Sequence, residues 1–239
     1  PMPSRKALIV GVGQYAEPTL LHELDAPFGD AQAVYQVLKQ YGNFDLPPIL
    51  LRREGDRKGW VSTEELEKAL DTLFTKEDAE EVELAVFYFS GHGSYDSKSQ
   101  TSYLAASDNA QAISLRHLLD RVENSHFKNV CIWLDSCHSG GALEFKELKS
   151  KNYCVVAAAS KFGYALIGKT GHSFLTDLLC QALTPCKEYA PTVTTFELVR
   201  YLKAQRRTLP PLQHVLFLHG ERHFPLTFCD HALPDNGKI

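Results

Sequence analysis

At 239 residues, with 44% apolar and 23% charged side chains, the chain is long enough for one α/β domain with a sizeable core, and it carries no low-complexity tract. Its 25 basic and 29 acidic residues leave a formal charge of −4 with no dense Lys/Arg block, so no nucleic acid partner is expected. No apolar run approaches the roughly 20 residues that span a bilayer, and residues 1–4 lack the apolar stretch of a signal peptide, so the expectation is no membrane partner and a cytoplasmic location.

Lys6-Ala7-Leu8-Ile9-Val10-Gly11-Val12 is a short apolar run ending at glycine, the pattern of a strand buried on both faces. Ala31, Val34, Val37, Leu38 and Tyr41 then recur at helical spacing, with Asp30 placed to cap the start and Gly42 to stop the helix. Ile49-Leu50-Leu51 after two prolines predicts a second strand. Ser62 and Glu65 form a capping box for a helix carrying Leu66, Ala69, Leu70 and Leu73. Two longer apolar runs, 84–89 and 130–134, read as central parallel strands. Between them the sequence predicts a polar loop, a short extension at Tyr103-Leu104-Ala105 and a helix from Ser114 to Glu123. A fifth strand is expected at 153–158, helices around Phe174 to Ala182 and from Thr195 to Ala204, and a last strand at 215–218. The fold class is therefore α/β, about six strands in a mostly parallel sheet with helices on both faces.

Six cysteines are scattered without CxxC pairs, against both a zinc knuckle and a disulfide framework, so most are expected to be reduced and buried. Cys137 differs in context. In open α/β sheets ligands bind beyond the carboxyl ends of the strands. The third strand ends in Phe89-Ser90-Gly91-His92-Gly93-Ser94 and the fourth in Asp135-Ser136-Cys137-His138-Ser139-Gly140-Gly141. A thiol attacks a carbonyl as thiolate, and a nearby imidazole favours that ion and later protonates the leaving amine. The glycines beside His92 allow close approach to a peptide, and the N–H groups of Gly93 and Cys137 are candidates for an oxyanion hole. Alone, Cys137 reads as a buried small hydrophobe; paired with His92 it reads as a nucleophile. Gly11-Val12-Gly13-Gln14-Tyr15-Ala16 imitates a dinucleotide fingerprint, but Pro18 interrupts the helix that must come next and no acidic residue ends the second strand, so nucleotide chemistry is excluded. No GxSxG elbow is present.

The Ser-Gly-His-Gly run and the Asp-Ser-Cys-His-Ser-Gly run resemble the catalytic motifs of caspase-like cysteine peptidases of the metacaspase and orthocaspase type (peptidase C14). The resemblance extends to Lys6–Gly11, to Asp30-Ala31, to Gly171-His172-Ser173-Phe174-Leu175-Thr176 and to the segment from Gln213 to Leu226. It implies a caspase-like fold in a single domain over 1–239, with a large-subunit-like part at about 5–143 and a small-subunit-like part at about 153–228. It also implies a catalytic dyad of His92, the acid/base group, and Cys137, the nucleophile. True caspases pair a Gln-Ala-Cys context with a basic pocket for Asp. Here the context is Asp-Ser-Cys with no Arg beside either run, which favours an acidic pocket and cleavage after Arg or Lys. In metacaspase-like enzymes that pocket draws on positions matching Asp30, Ser90 and Asp135, and paired carboxylates suit a guanidinium. The cysteine usual three residues before the aspartate is replaced by Pro27.

Many metacaspases need calcium. Asp108 and Glu144 fall at suitable positions, but the paired acids expected near Ile113 to Arg116 are absent, so no cofactor and no calcium dependence are expected. Lys146, Lys149 and Lys151 lie where related enzymes are cut between their parts, which makes self-processing a hypothesis to test. A regulated protease of a stress, cell-death or antiviral defence pathway, monomeric, acting on protein or peptide substrates with a basic residue before the cut and awaiting an upstream activator, is the reading the resemblance implies. The competing one is a latent caspase-fold interaction or signalling module that needs a partner or ligand for activity.

Overall fold

The computed structural model describes residues 4–74, 82–136, 148, 150–160, 169–209 and 213–229. Strand β1 (Ser4–Gly11) buries both faces, Leu8 and Val10 on one side of the sheet and Ala7 and Ile9 on the other, as its unbroken apolar run requires. Helix α1 (Ala26–Tyr41) begins about a turn earlier than expected, because Pro27 sits in its first turn, where a missing N–H costs nothing. Asp25, not Asp30, therefore occupies the N-cap position, and Asp30 is an interior helical residue whose carboxylate points into the protein. Gly11 lets β1 and α1 approach closely: a Cβ there would lie 2.3 Å from the carbonyl oxygen of Pro27. Strand β2 (Ile49–Leu51) and helix α2 (Thr63–Phe74) come next. The capping box forms as predicted, with Ser62 N–H donating to Glu65 at 2.8 Å and Glu65 N–H to Ser62 Oγ at 3.1 Å.

Strand β3 (Val82–Ser90) is the next long element. Where the sequence predicts a polar loop with a short extension, the chain instead builds a separate antiparallel sheet from β4 (Gly93–Asp96), β5 (Thr101–Ala106) and β6 (Asn109–Ser114). These strands are short, and although β5 is mostly buried, small and polar residues fill them, so little apolar alternation marks them in sequence. Helix α3 (Leu115–Glu123), capped by Ser114, leads into β7 (Phe127–Asp135) and then β8 (Asn152–Ser160). Helix α4 (Phe174–Leu183), β9 (Thr192–Thr194), α5 (Thr195–Gln205), β10 (Gln213–His219) and β11 (Pro225–Phe228) complete the described chain.

The main sheet has the expected six strands in the order β10-β8-β7-β3-β1-β2, parallel except for the edge strand β10, which runs antiparallel to β8. Strands β9 and β11 form a small ladder of their own. On one face α2 and α3 cover a core that includes Leu66, Leu70, Leu118 and Val122; on the other α1, α4 and α5 bury Val34, Leu38, Leu175, Leu179, Leu198 and Leu202. This is a three-layer, caspase-like α/β sandwich. Among the described residues no helix is long and apolar enough to cross a membrane.

Arg5 closes the start of the sheet. Its buried guanidinium donates to the carbonyls of Gly42 (3.0 Å), Pro225 (3.3 Å) and Leu226 (2.8 Å), between the rings of Phe44 and Phe228. One side chain thus ties β1 to the end of α1 and to β11.

Candidate active site

Strands β3 and β7 are neighbours, with Ser90 and Asp135 as register partners at their carboxyl ends, and Gly91 N–H donates across to Asp135 O at 3.3 Å. Two residues past Ser90 lies His92, only 5% exposed. Its surroundings come from the loop after β1. The Tyr15 hydroxyl donates to Val12 O (2.9 Å) and accepts the backbone N–H of His92 (2.8 Å), and the imidazole packs between the rings of Tyr15 and His22 at 4.8 and 4.7 Å. Gly91 is the residue that admits this tyrosine, since a Cβ there would stand 2.9 Å from the hydroxyl. Gly91 thus accommodates Tyr15, a neighbour from within the fold.

His92 Nε2 lies 2.8 Å from the carbonyl oxygen of His22. A carbonyl only accepts, so Nε2 carries the proton and Nδ1 of the neutral ring is left as the basic nitrogen. Burial pushes the imidazole below its usual pKa; the bond to the His22 carbonyl opposes this, and the neighbouring His22 ring adds to the lowering. The imidazole is thus held in one orientation, and burial favours its neutral form. Ala105 N–H donates to His92 O at 3.0 Å, beside the register pair Gly93 and Leu104. In an antiparallel ladder that bond marks Gly93 and Leu104 as a non-hydrogen-bonded pair, so the ladder leaves the Gly93 N–H unused.

Cys137 lies outside the described residues, and with it the second half of the expected dyad and of the oxyanion hole; Glu144, Lys146 and Lys149 lie outside them too. The chain is followed to Ser136, immediately past the end of β7.

The three pocket residues expected from sequence are brought together behind the strand ends. Asp30 is 0% exposed, and Ser90 and Asp135 are buried with it. Ser90 Oγ donates to Asp30 Oδ2 at 3.3 Å, and Ser173 N–H donates to Asp30 Oδ1 at 3.1 Å. Asp135 Oδ2 accepts the hydroxyls of Ser173 and of Thr176, the latter at 2.8 Å. Ser173 caps α4, its Oγ accepting Thr176 N–H at 3.1 Å, so the same residue starts the helix and holds the carboxylate. The core aromatic Tyr88 backs this arrangement, its hydroxyl 2.7 Å from Thr176 Oγ1. Burial, then the charge of Asp135, raises the Asp30 carboxyl to about 8, against the pull of the Ser173 and Ser90 hydrogen bonds. Burial likewise raises Asp135, and the two hydroxyls oppose it. Among the described residues no lysine or arginine pairs with either carboxylate.

Asp108, a calcium candidate in sequence, is used elsewhere: its Oδ1 accepts both Thr63 N–H (2.8 Å) and Thr63 Oγ1 (2.7 Å) at the start of α2. Lys151 donates from Nζ to Ser125 O at 2.6 Å, directly before β8. Cys131, Cys154 and Cys229 are buried free thiols, whereas Cys186 is exposed. Sequence reasoning missed Tyr15, His22 and Thr176 as supports of the site. The loop carrying Tyr15 and His22 has no regular pattern, and Thr176 is marked only by lying in the Gly171–Thr176 run.

A family model for the caspase domain, peptidase C14, matches residues 4–213. No curated protein matches the chain.

Proposed function

The chain belongs to the caspase-domain family of cysteine peptidases, and from that premise we propose that it is an endopeptidase cutting proteins after Arg or Lys through a Cys137–His92 dyad. The observation that carries the specificity is the pair of buried carboxylates, Asp30 and Asp135, with no lysine or arginine among the described residues to neutralise them. Two carboxyls desolvated side by side resist ionising together, and an arriving guanidinium or ammonium relieves that cost.

The chemistry then starts from the histidine. Nδ1 of His92 takes the proton of the Cys137 thiol, and the thiolate attacks the scissile carbonyl carbon. The Gly93 N–H, left over by the β4–β5 ladder, and the Cys137 N–H hold the oxyanion. The imidazolium gives its proton to the leaving amine as the C–N bond breaks, and water, deprotonated by His92, releases the acyl group from sulfur. The His22 carbonyl and the Tyr15 hydroxyl keep the ring in place through both proton transfers.

Residues 5–143 and 153–228 are read as the two parts of one peptidase domain. Lys151, tied to Ser125 O beside β8, is poorly placed for self-cleavage, which leaves Lys146 and Lys149. With Asp108 engaged at α2, activity without calcium is the corresponding proposal. The role of a regulated protease in a stress, cell-death or defence pathway, under an upstream activator, rests on the resemblance of the motifs alone.

Fluorogenic peptides matched except for Arg, Lys or Asp before the cut, assayed with calcium or a chelator beside Cys137→Ala and His92→Ala, test the reading. Arg and Lys peptides are expected to be cut without calcium and both variants to be inactive; intact mass after the same incubation reads self-cleavage. Preference for Asp would overturn the pocket and spare the dyad. Full activity of Cys137→Ala would overturn the dyad.

A further inference from the structure

One oxygen of each pocket carboxylate is tethered to the segment that opens α4. Asp135 Oδ2 takes the hydroxyls of Ser173 and Thr176, while Asp30 Oδ1 takes Ser173 N–H and also faces His172 Nδ1 at 3.0 Å. Among the described residues Asp30 Oδ2 has only the longer Ser90 bond. The His172 imidazole is 31% exposed, so it spans the distance between solvent and a fully buried carboxylate.

Its position is set from both sides. Gly171 before it has a φ of +84°, a left-handed conformation that turns the chain there, and the ring lies against α1 at Gly29, where a Cβ would be in ordinary contact at 3.4 Å from Cε1. Behind it, His172 N–H donates to Thr170 Oγ1 at 3.3 Å and Thr170 donates to Asp177 on α4 at 2.6 Å. The titratable groups facing Asp30 are Asp135 from β7, Tyr88 from β3, Asp177 and Cys180 from α4, and His172 itself. All but His172 are neutral or negative in every state, so among the described residues the imidazole is the one titratable neighbour whose ring favours the carboxylate form.

We propose that His172 is a positioning residue that determines specificity in the acidic pocket: its Nδ1–H bond favours the carboxylate form of Asp30, with Oδ2 turned to the basic side chain of the substrate. The inference rests on the reading of Asp30 and Asp135 as the site for that side chain. A cation binds a carboxylate, not a carboxylic acid. Removing a donor from a carboxyl already raised to about 8 raises it further, so basic ligands weaken and neutral ones do not.

The test is binding without turnover. In a Cys137→Ala background, fluorescence anisotropy would track peptides matched except for Arg or citrulline before the scissile bond, over about pH 6–9. The background protein is expected to favour Arg. Adding His172→Ala, or His172→Met to retain volume, should weaken the Arg peptide about tenfold, the loss of one hydrogen bond to a charged group. It should leave the citrulline peptide unchanged and move the pH at which Arg binding improves upward. His172→Asn, which keeps an N–H donor, should restore most of the affinity. Arg binding equal to or tighter than the background in the Ala and Met variants, with an unmoved pH profile, overturns the role of His172 and leaves the pocket standing. Equal binding of Arg and citrulline by the background protein removes the pocket reading, and this inference with it.

Discussion

Arg5 and the pair Asp30–Asp135 are buried charges in one small protein, and they are built on opposite plans. Each nitrogen of the Arg5 guanidinium donates to a backbone carbonyl and two aromatic rings lie close to it, while burial lowers its pKa. Among the described residues the carboxylates lack a charged partner of opposite sign fixed in the fold. Their partners there are hydroxyls, one backbone N–H and one imidazole, and both carboxyls are raised by burial. On the proposed reading, a buried charge that serves the fold finds its partners within it, whereas one that serves a ligand stays costly until the ligand arrives.

The largest effect that distinguishes the two is expected from Asp30→Asn. Cleavage of Arg and Lys peptides should fall at least about 100-fold, as for truncating one partner of a buried charge pair, while the protein becomes more stable by about 1–2 kcal/mol. The sign of the stability change comes from the raised carboxyl. Asp30 contributes stability that is full below its unfolded pKa of about 4 and is lost as pH rises through about 8. Urea denaturation should therefore show the gain of the Asn variant growing from acid to alkaline pH. A variant less stable than wild type at pH 9 would break the comparison.

Arg5→Met is expected to do the reverse. It strands three carbonyls and should cost about 2–3 kcal/mol, lowering Tm by about 5–10 °C, with the ratio of Arg to citrulline cleavage unchanged. A changed ratio would mean that Arg5 acts on the pocket, and the two plans would no longer be separable.

The smallest effect is in the pH profile. With Asp30 raised to about 8, the KM of Arg peptides should fall as pH rises towards that value, because only the ionised pocket takes a cation. His92 is lowered by burial, so it stays an unprotonated base below the usual histidine range, and kcat should hold its plateau to more acid pH than KM does. Steady-state kinetics at a series of pH values would separate them; coincident limbs would assign both to one group.

The fold was largely legible in the sequence, for reasons that vary by element. Strands β1, β3 and β7 are buried on both faces, and each announces itself as an apolar run. The α2 capping box was legible because both of its bonds lie within four residues. The β4–β5–β6 sheet was not, since its strands are short and carry many polar residues although its pairings are local hairpins, and Asp30 reads as a cap in sequence because the residues that start α1, Ala26 and Pro27, carry no apolar periodicity. His92 and the acidic trio stood out by residue type at strand ends. Their supports did not: Tyr15 and the His22 carbonyl act through a side chain and a backbone atom across some seventy residues of chain.

The sequence by itself determined which side chains stand at the ends of the central strands, because burial on both faces dictates the strands and chain order dictates the residues just beyond them. The state of those side chains was a tertiary decision. Only packing brings α1 and the start of α4 against β3 and β7, so that one carboxylate raises the other, Ser173 serves both, and His172 reaches Asp30 across 142 residues of chain. Desolvation and hydrogen bonding act through space, and no local pattern of residues encodes them.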